Sequence, residues 1–280
     1  MKKIRVAYQG EVGAYSESAL LQYFGENTES MACEDFAGVF AATFSGEADF
    51  GFVPVENSTA GSVHQNYDLM NQYDLHIIGE IYFHVHHCLI GLPGTQLADI
   101  KTAISHPQAL AQCAGFLREH HIKEQAGIDT AGSVRVIKEK GDPSIAAIAS
   151  ERACIVHGME LLGAEIEDFK HNTTRFVALS KQPAEIQADA PALKATYIFT
   201  LPHYPGSLSK VLSGIAEREF NLTKIESRPL MNQPWEYIFC IDVTGEKSQG
   251  EYQSLKEFLA SKTNSAKLVG IYPSAQISEN

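Results

Sequence analysis

The sequence has little cysteine for its length, and the cysteines are scattered. Among 280 residues there are five cysteines, an odd number, and no two of them form a C-x-x-C pair. This pattern argues against a disulfide framework and against a zinc site, and it favours a reducing compartment. No basic cluster lies beside any of the thiols, so we expect them to be buried apolar groups rather than nucleophiles.

Long apolar runs and positive charge are also scarce. No apolar stretch approaches the ~20 residues that span a bilayer, and none of signal-peptide length follows the N-terminal lysines. The 22 basic and 34 acidic side chains give a formal charge of −12. A surface this acidic repels nucleic acid and anionic membranes. We therefore expect a soluble, cytoplasmic protein that binds neither, although local amides could still hold a small anion.

The sequence is rich in alternating strand-like and helix-like segments. IRVAYQG reads as a buried strand that leads into a helix. The helix pattern DFAGVFAATFSG follows, which Asp35 can cap, and ADFGFVPV is again strand-like. This order predicts an α/β fold with open, mostly parallel sheets and helices on their faces. The passage LHIIGEIYFHVHHCLIGL indicates a crossing between two lobes. In such folds ligands bind beyond the carboxyl ends of strands, so the turns there are the candidate sites.

A second domain is predicted after a break that is rich in proline and alanine. The segments that follow the break have the order βαββαβ, which is ferredoxin-like, with SLSKVLSGIAEREF as the first helix. The expected organisation is a two-lobed domain over residues 1–182, a linker over residues 183–194 and a smaller domain over residues 195–280.

Two turns after strands carry small residues that suit ligand binding. The turn YQGEVGAYSE places Gly10 and Gly13 before a helix, where backbone amides can approach an anion. A tight turn that binds nothing would use the same glycines. The segment VENSTAGSV holds Asn57, Ser58 and Thr59, which can cap a helix or bind a carboxylate.

Several titratable residues could move protons or bind metal. Glu56 is unfavourable beside an anion unless it is protonated or orients a donor. His106, in ISHPQAL, could transfer protons near neutral pH or could simply cap the following helix. On a strand His84 and His86 share one face and His87 faces away. No carboxylate at a suitable spacing completes this set, so we expect no metal.

The segment HNTTRF opens the last strand of the first domain. The hydroxyl of Thr174, the guanidinium of Arg175 and the ring of Phe176 together suit recognition of a small aromatic-like carboxylate. Strand alternation places Thr174 and Phe176 on one face and Arg175 on the other. An ordinary strand start fits the local pattern equally well. Thr130, in DTAGS, belongs to another small polar turn before a helix.

These motifs in this order resemble the prephenate dehydratase family, with the likeness running from Arg5 to about Tyr272. The resemblance implies a two-lobed, periplasmic-binding-protein-like catalytic domain with the active site between the lobes, followed by an ACT domain. It also implies that activity depends most on Thr174. Positions expected to bind substrate are Asn57, Ser58, Thr59, Gln108, Thr130, Arg175 and Phe176.

The second domain is similar to the family's regulatory domain. Its PGSL and ESRP segments resemble the family's two phenylalanine-binding motifs. The resemblance implies that L-phenylalanine is an allosteric effector and that the protein is a homodimer or homotetramer. The implied effector-binding residues are Gly206, Ser207, Leu208, Glu226, Ser227, Arg228 and Pro229.

The implied reaction is the decarboxylation and dehydration of prephenate to phenylpyruvate. Aromatisation of the ring drives it, so no cofactor, metal or covalent intermediate is expected. We assign Arg175 and helix-end amides to carboxylate binding and Thr174 to the leaving hydroxyl. Because a threonine hydroxyl is a very weak acid, orientation or relay is favoured over direct proton transfer. Glu56 and His106 are the alternatives if a separate acid exists.

Three other functions are compatible with parts of this pattern. A solute-binding protein would share the two lobes, but it has no need for Thr174 beside Arg175, and no export signal is visible. A transcriptional effector module is disfavoured because no helix-turn-helix segment or basic stripe is present. Arogenate dehydratase differs only in contacts with one substrate group. Chorismate mutase and dehydrogenase activities are not expected.

Overall fold

The computed structural model describes residues 3–187, 192–230 and 237–276. Its helices are α1 Tyr15–Phe24, α2 Phe36–Ser45, α3 His64–Gln72, α4 Pro107–Gln112, α5 Ala114–Glu119, α6 Thr130–Lys140, α7 Glu151–His157, α8 Ser207–Ala216 and α9 Gln249–Lys262. Among the described residues, no helix is both long and apolar enough to cross a membrane.

The strands are β1 Arg5–Gln9, β2 Glu29–Cys33, β3 Phe50–Asn57, β4 Gly61–Ser62, β5 His76–His84, β6 Cys88–Gly91, β7 Thr102–Ser105, β8 Lys123–Ala126, β9 Ile145–Ala149, β10 Glu160–Gly163, β11 Thr173–Ser180, β12 Leu193–Thr200, β13 Asn221–Pro229, β14 Tyr237–Gly245 and β15 Ser265–Pro273. In the described part of the chain they form three sheets. The chain divides into two compact units: residues 1–39, 52–62 and 83–176, and residues 40–51, 63–82 and 177–280.

The first sheet brings two of the candidate segments together. Its strand order is β2-β1-β3-β11-β5, with β4 paired to β3. β1 and β2 are parallel, and Arg5 lies opposite Glu29. Asn57 ends β3, and the neighbouring strand β11 begins at Thr173. The carboxyl end of one strand therefore lies beside the start of the other.

The second sheet has the order β10-β6-β9-β7-β8. β7 is parallel to β8 and β9, whereas β6 is antiparallel to both β9 and β10. The predicted mostly parallel sheet is therefore interrupted by β6. β6 is entered directly from β5, a strand of the first sheet, so no crossover helix constrains its direction relative to β9.

Helices cover both faces of the second sheet. Leu89, Ala103 and Ile148 point into a core with α4 and α5, whereas the adjacent Ile90 and Ile104 point into a core with α6 and α7. Such burial on both faces explains the near-continuous apolar runs in these strands. The α/β class predicted from the sequence is confirmed.

The predicted helix QALAQCAGFLREH is divided into α4 and α5 at Cys113. Both carboxylate oxygens of Asp168 accept from the backbone N–H of Gly115, at 3.2 and 3.0 Å, and the backbone N–H of Asp168 donates to the carbonyl of Gln112. A distant residue therefore supplies the cap that starts the second helix.

The third sheet is antiparallel, with the order β13-β14-β12-β15. Its elements follow as β12, α8, β13, β14, α9 and β15. Ala195, Tyr197 and Phe199, which alternate along β12, are fully buried in a core with α8 and α9. β12 begins at Leu193, so the last two residues of the predicted linker belong to a strand. Residues 235 and 236 of the predicted strand WEYIFCIDV lie outside the described residues.

Candidate active site

Asn57 and Thr174 are joined by a hydrogen bond at the end of β3 and the start of β11. The Asn57 Nδ2 donates to Thr174 Oγ1 at 2.9 Å and to Asn172 Oδ1 at 2.8 Å. The orientation of this amide is fixed because its Oδ1 accepts from the backbone N–H groups of Thr59, at 3.0 Å, and Ala60, at 2.9 Å. Backbone N–H groups can only donate, so the Asn57 nitrogen must face Thr174.

This orientation determines what the Thr174 hydroxyl can do. Its oxygen accepts from Asn57, so its own hydrogen points to a different partner. Within the described part of the chain, no acceptor is recorded for that hydrogen, although Thr174 is only 8% exposed. The arrangement presents a buried hydroxyl that can donate to an oxygen of a ligand.

Gln112, at the end of α4, extends the same set of hydrogen bonds. Its Nε2 donates to Thr59 Oγ1 at 2.8 Å, and its Oε1 accepts from Asn172 Nδ2 at 3.1 Å. The Thr59 hydroxyl donates in turn to Asn57 Oδ1 at 2.7 Å. We call Asn57, Thr59, Gln112, Asn172 and Thr174 the amide cluster. Nothing in the sequence marks Gln112. Asn172 lies in the HNTTRF segment, but its pairing with a residue 60 positions away has no local signal.

A cavity of about 850 Å³ lies among the first glycine turn, the start of α6 and His157. Its size is within the range of small-molecule sites. Two carboxylates on its wall are already engaged. Arg135 pairs with Glu11 at 3.0 Å, and its hydrogen bond holds the pKa of that carboxyl below its usual value. Asp129 caps α6 by accepting from the Gly132 N–H. Thr130 lines this cavity, and its role in substrate binding stays a prediction.

Other predicted residues have structural contacts. Ser58 Oγ donates to the carbonyl of His171 and accepts from the Thr173 N–H, both at 3.0 Å, which fixes the chain before β11. Gln108 is exposed, and its backbone N–H donates to His106 Nδ1 at 3.2 Å. His106 is thus a helix cap, the simpler of the two roles that its sequence position allowed.

Arg175 and Phe176 follow Thr174 into the interior. Arg175 is 5% exposed and lies on the opposite face of β11 from Thr174. Phe176 is 2% exposed, stacks on Phe52 with centroids 5.2 Å apart, and meets Phe83 edge-on. The structure therefore places the Phe176 ring in a packed aromatic group rather than on the cavity wall.

Known proteins resemble this chain over the segments that hold these residues. A family model for prephenate dehydratase matches residues 6–184. Arogenate dehydratase/prephenate dehydratase 1, chloroplastic, of Arabidopsis thaliana is 37% identical, over 97% of this chain and 72% of the relative. Prephenate dehydratase from Arthrobacter aurescens, solved in complex with L-Phe, is 30% identical with a TM-score of 0.86, over 96% of this chain and 89% of that one.

The chain belongs to the prephenate dehydratase family. Another similar structure, GqqA, described as a novel type of quorum quenching acylase, is 33% identical with a TM-score of 0.88, over 97% of this chain and 98% of that one. One fold can support different activities, so the residues of the site decide which activity is proposed.

Proposed function

We propose that this protein converts prephenate to phenylpyruvate, carbon dioxide and water, and that the Thr174 hydroxyl donates a hydrogen bond to the departing hydroxyl. The observation that carries this role is the Asn57–Thr174 hydrogen bond, whose direction the amides of Thr59 and Ala60 fix. Family membership supports the reaction class.

The reaction breaks two bonds that join substituents to the ring. The bond to the ring carboxylate breaks, its electron pair enters the ring, and the carbon–oxygen bond of the para hydroxyl breaks as the ring becomes aromatic. A proton must end on the leaving oxygen to make water. Thr174 stabilises the negative charge that develops on that oxygen, with solvent as the eventual proton source. A fixed donor lowers the barrier because it need not reorient during the reaction.

Binding of the substrate carboxylates is assigned to helix-end amides around the cavity and to Arg175. The N-terminal turns of α1 and α6 both border the cavity, and their partial positive charge favours an anion. Arg175 neighbours Thr174 in β11, and its buried charge is weakly screened by solvent. We include in the proposal a direct contact between the Arg175 guanidinium and a substrate carboxylate.

The smaller antiparallel sheet is proposed to be an ACT domain that binds L-phenylalanine. Ser207 and Leu208, at the start of α8, line a cavity of about 130 Å³ together with Phe239. The Arthrobacter relative was solved with L-Phe. Arg228 Nη1 lies 2.5 Å from Asp68 Oδ2 on α3, which links the second predicted motif to a helix that follows Asn57 in the chain. Assembly as a homodimer or homotetramer belongs to the same proposal.

Arogenate is a second candidate substrate, because the similar Arabidopsis protein carries both names. The test measures phenylpyruvate formation from prephenate and phenylalanine formation from arogenate by the purified chain. We expect a higher kcat/KM for prephenate and inhibition by L-phenylalanine but not by D-phenylalanine. Turnover of arogenate alone would replace the proposed substrate, and turnover of neither would reject the dehydratase.

A further inference from the structure

A buried histidine and a tyrosine continue the hydrogen bonds of the amide cluster beyond Gln112. His87 Nε2 lies 2.7 Å from Gln112 Oε1, and His87 Nδ1 lies 2.6 Å from the hydroxyl oxygen of Tyr15. The two rings meet edge-on with centroids 5.4 Å apart. Tyr15 also borders the cavity beside α6. These two side chains therefore connect the cavity wall to the hydrogen bonds around Thr174.

The hydrogen-bond directions assign one tautomer to His87. Gln112 donates through Nε2 to Thr59, so its Oε1 faces both Asn172 and His87. An amide oxygen only accepts, so the hydrogen of His87 must be on Nε2. In a neutral ring Nδ1 is then an acceptor, and the Tyr15 hydroxyl donates to it.

The surroundings favour the neutral ring and hold it in place. His87 is 3% exposed, and burial lowers its pKa, against the hydrogen bond with Gln112 and the charge of Glu167. Its backbone N–H donates to Glu167 Oε2 at 2.8 Å, and its carbonyl accepts from the Ile166 N–H at 2.9 Å. Backbone and ring are thus both fixed.

We propose that His87, held as the Nε2–H tautomer by Tyr15, is a positioning residue for the proposed dehydratase reaction. Its N–H keeps the Gln112 oxygen turned toward Asn172, and this directs the Asn172 oxygen toward Asn57. The amide cluster is then fixed at two ends, by the backbone amides beside Asn57 and by the Tyr15–His87 pair. With the Tyr15–His87 end released, the Gln112 and Asn172 amides could turn. Asn57, whose own amide stays held by the backbone N–H groups, would then lose the Asn172 oxygen that lies beside Thr174.

The kinetic test compares two substitutions of similar size. His87→Gln can keep an N–H directed at Gln112, whereas His87→Leu cannot. We expect kcat to fall about tenfold in His87→Leu with KM within about twofold, and to fall less than about threefold in His87→Gln. His86→Asn is the matched control, because it preserves a donor toward Glu167 outside the amide cluster. Equal losses in His87→Gln and His87→Leu, or no loss in either, would overturn the proposal.

A second readout does not depend on turnover. In protein labelled with ¹⁵N-histidine, His87 is expected to show a protonated Nε2 and a hydrogen-bonded, unprotonated Nδ1 at pH 7.5. Tyr15→Phe should shift the Nδ1 resonance toward that of a nitrogen without a donor. A proton on Nδ1, or on both nitrogens, would refute the tautomer even if the chain converts prephenate. An inactive wild type with the expected spectrum would instead reject the dehydratase alone.

Discussion

At the scale of single residues, Asn57 sets the direction of every hydrogen bond around Thr174. Its oxygen accepts from two backbone amides and from the Thr59 hydroxyl, so its nitrogen can only face Thr174 and Asn172. The proposed role of Thr174 as a donor therefore depends on backbone geometry rather than on its own acidity. A substitution that replaces the Asn57 donor by an acceptor should therefore remove the donor role of Thr174.

Asn57→Asp is the substitution that makes this reversal with the smallest change of shape. The new oxygen would accept the Thr174 hydrogen, which would no longer reach the substrate. We expect kcat to fall about 100-fold, as for loss of a donor that stabilises developing charge. Asn71→Asp makes the same chemical change at an exposed position of α3 and should leave kcat within about twofold. Unchanged kcat in Asn57→Asp would contradict the direction of the hydrogen bond.

The sequence could point to part of this site only. Asn57 and Thr174 are visible because both stand in small polar segments at strand ends, where ligands bind. Gln112 carries no such signal. Asn172 lies in the same HNTTRF segment as Thr174, but its hydrogen bond with Gln112 comes from packing between distant segments and has no local sign. Phe176 was expected at the substrate, but its ring stacks on Phe52 in the interior.

At the scale of secondary-structure elements, the turn before α1 is held by a close approach to α7. Gly13 has φ of +90°, and a Cβ there would lie 2.7 Å from Ala153 Cα. The Gly13 carbonyl also accepts from Ser150 Oγ, which caps α7. Only glycine allows both the backbone conformation and this contact.

Gly13→Ala should be more destabilising than Gly25→Ala. Both glycines have φ of +90°, but no atom lies within 4 Å of a Cβ at Gly25, so the two substitutions share the backbone strain and differ in the clash. We expect Gly13→Ala to lose roughly 1–3 kcal/mol more free energy of unfolding, from overpacking. Urea denaturation of both variants measures this difference, and equal losses would show that the contact with Ala153 is unimportant.

Element prediction succeeded where apolar periodicity is strong and failed where distant contacts decide. The helix expected after DTAGS is α6, and the Asp35 carboxylate accepts from the Gly38 N–H as the expected cap of α2. β8 was missed because all four of its residues are exposed, so no alternation marks it. The division of α4 from α5 depends on Asp168, which no local pattern announces.

At the scale of the whole molecule, the alternating order of strands and helices was sufficient to predict the α/β class, because each element buries its apolar face against another layer. The reversed direction of β6 was not predictable from its composition. One set of contacts in the first compact unit is also invisible in the sequence: Glu17, 1% exposed, accepts from Arg152, Ser30 and the Gly13 N–H.

The buried carboxylate of Glu17 should make the free energy of unfolding depend on pH in the acid range. Burial alone would raise the pKa of Glu17, but the hydrogen bonds from Arg152, Gly13 and Ser30 leave it below its usual value. A depressed folded-state pKa contributes stability above the unfolded pKa, and that contribution is lost as pH falls through the folded value. Compared with Glu17→Gln, the wild type should be roughly 1–3 kcal/mol more stable at pH 7.

The difference between wild type and Glu17→Gln should shrink steadily below about pH 4.5. Urea unfolding of both proteins at several pH values provides the measurement. Subtracting the free energy of unfolding of Glu17→Gln from that of the wild type also removes the general effect of neutralising a chain of charge −12. A difference that does not change between pH 7 and pH 3 would show that the charge of Glu17 does not contribute.

The central claim is that the Thr174 hydroxyl donates to the leaving group, and the most direct measurement is kcat for prephenate in Thr174→Val and Thr174→Ser. Valine preserves the shape without the hydroxyl, whereas serine keeps the hydroxyl. We predict a loss of at least about 100-fold in the valine variant and less than about tenfold in the serine variant, with both folded. Near-wild-type kcat in Thr174→Val, or equal losses in the two variants, would contradict the account.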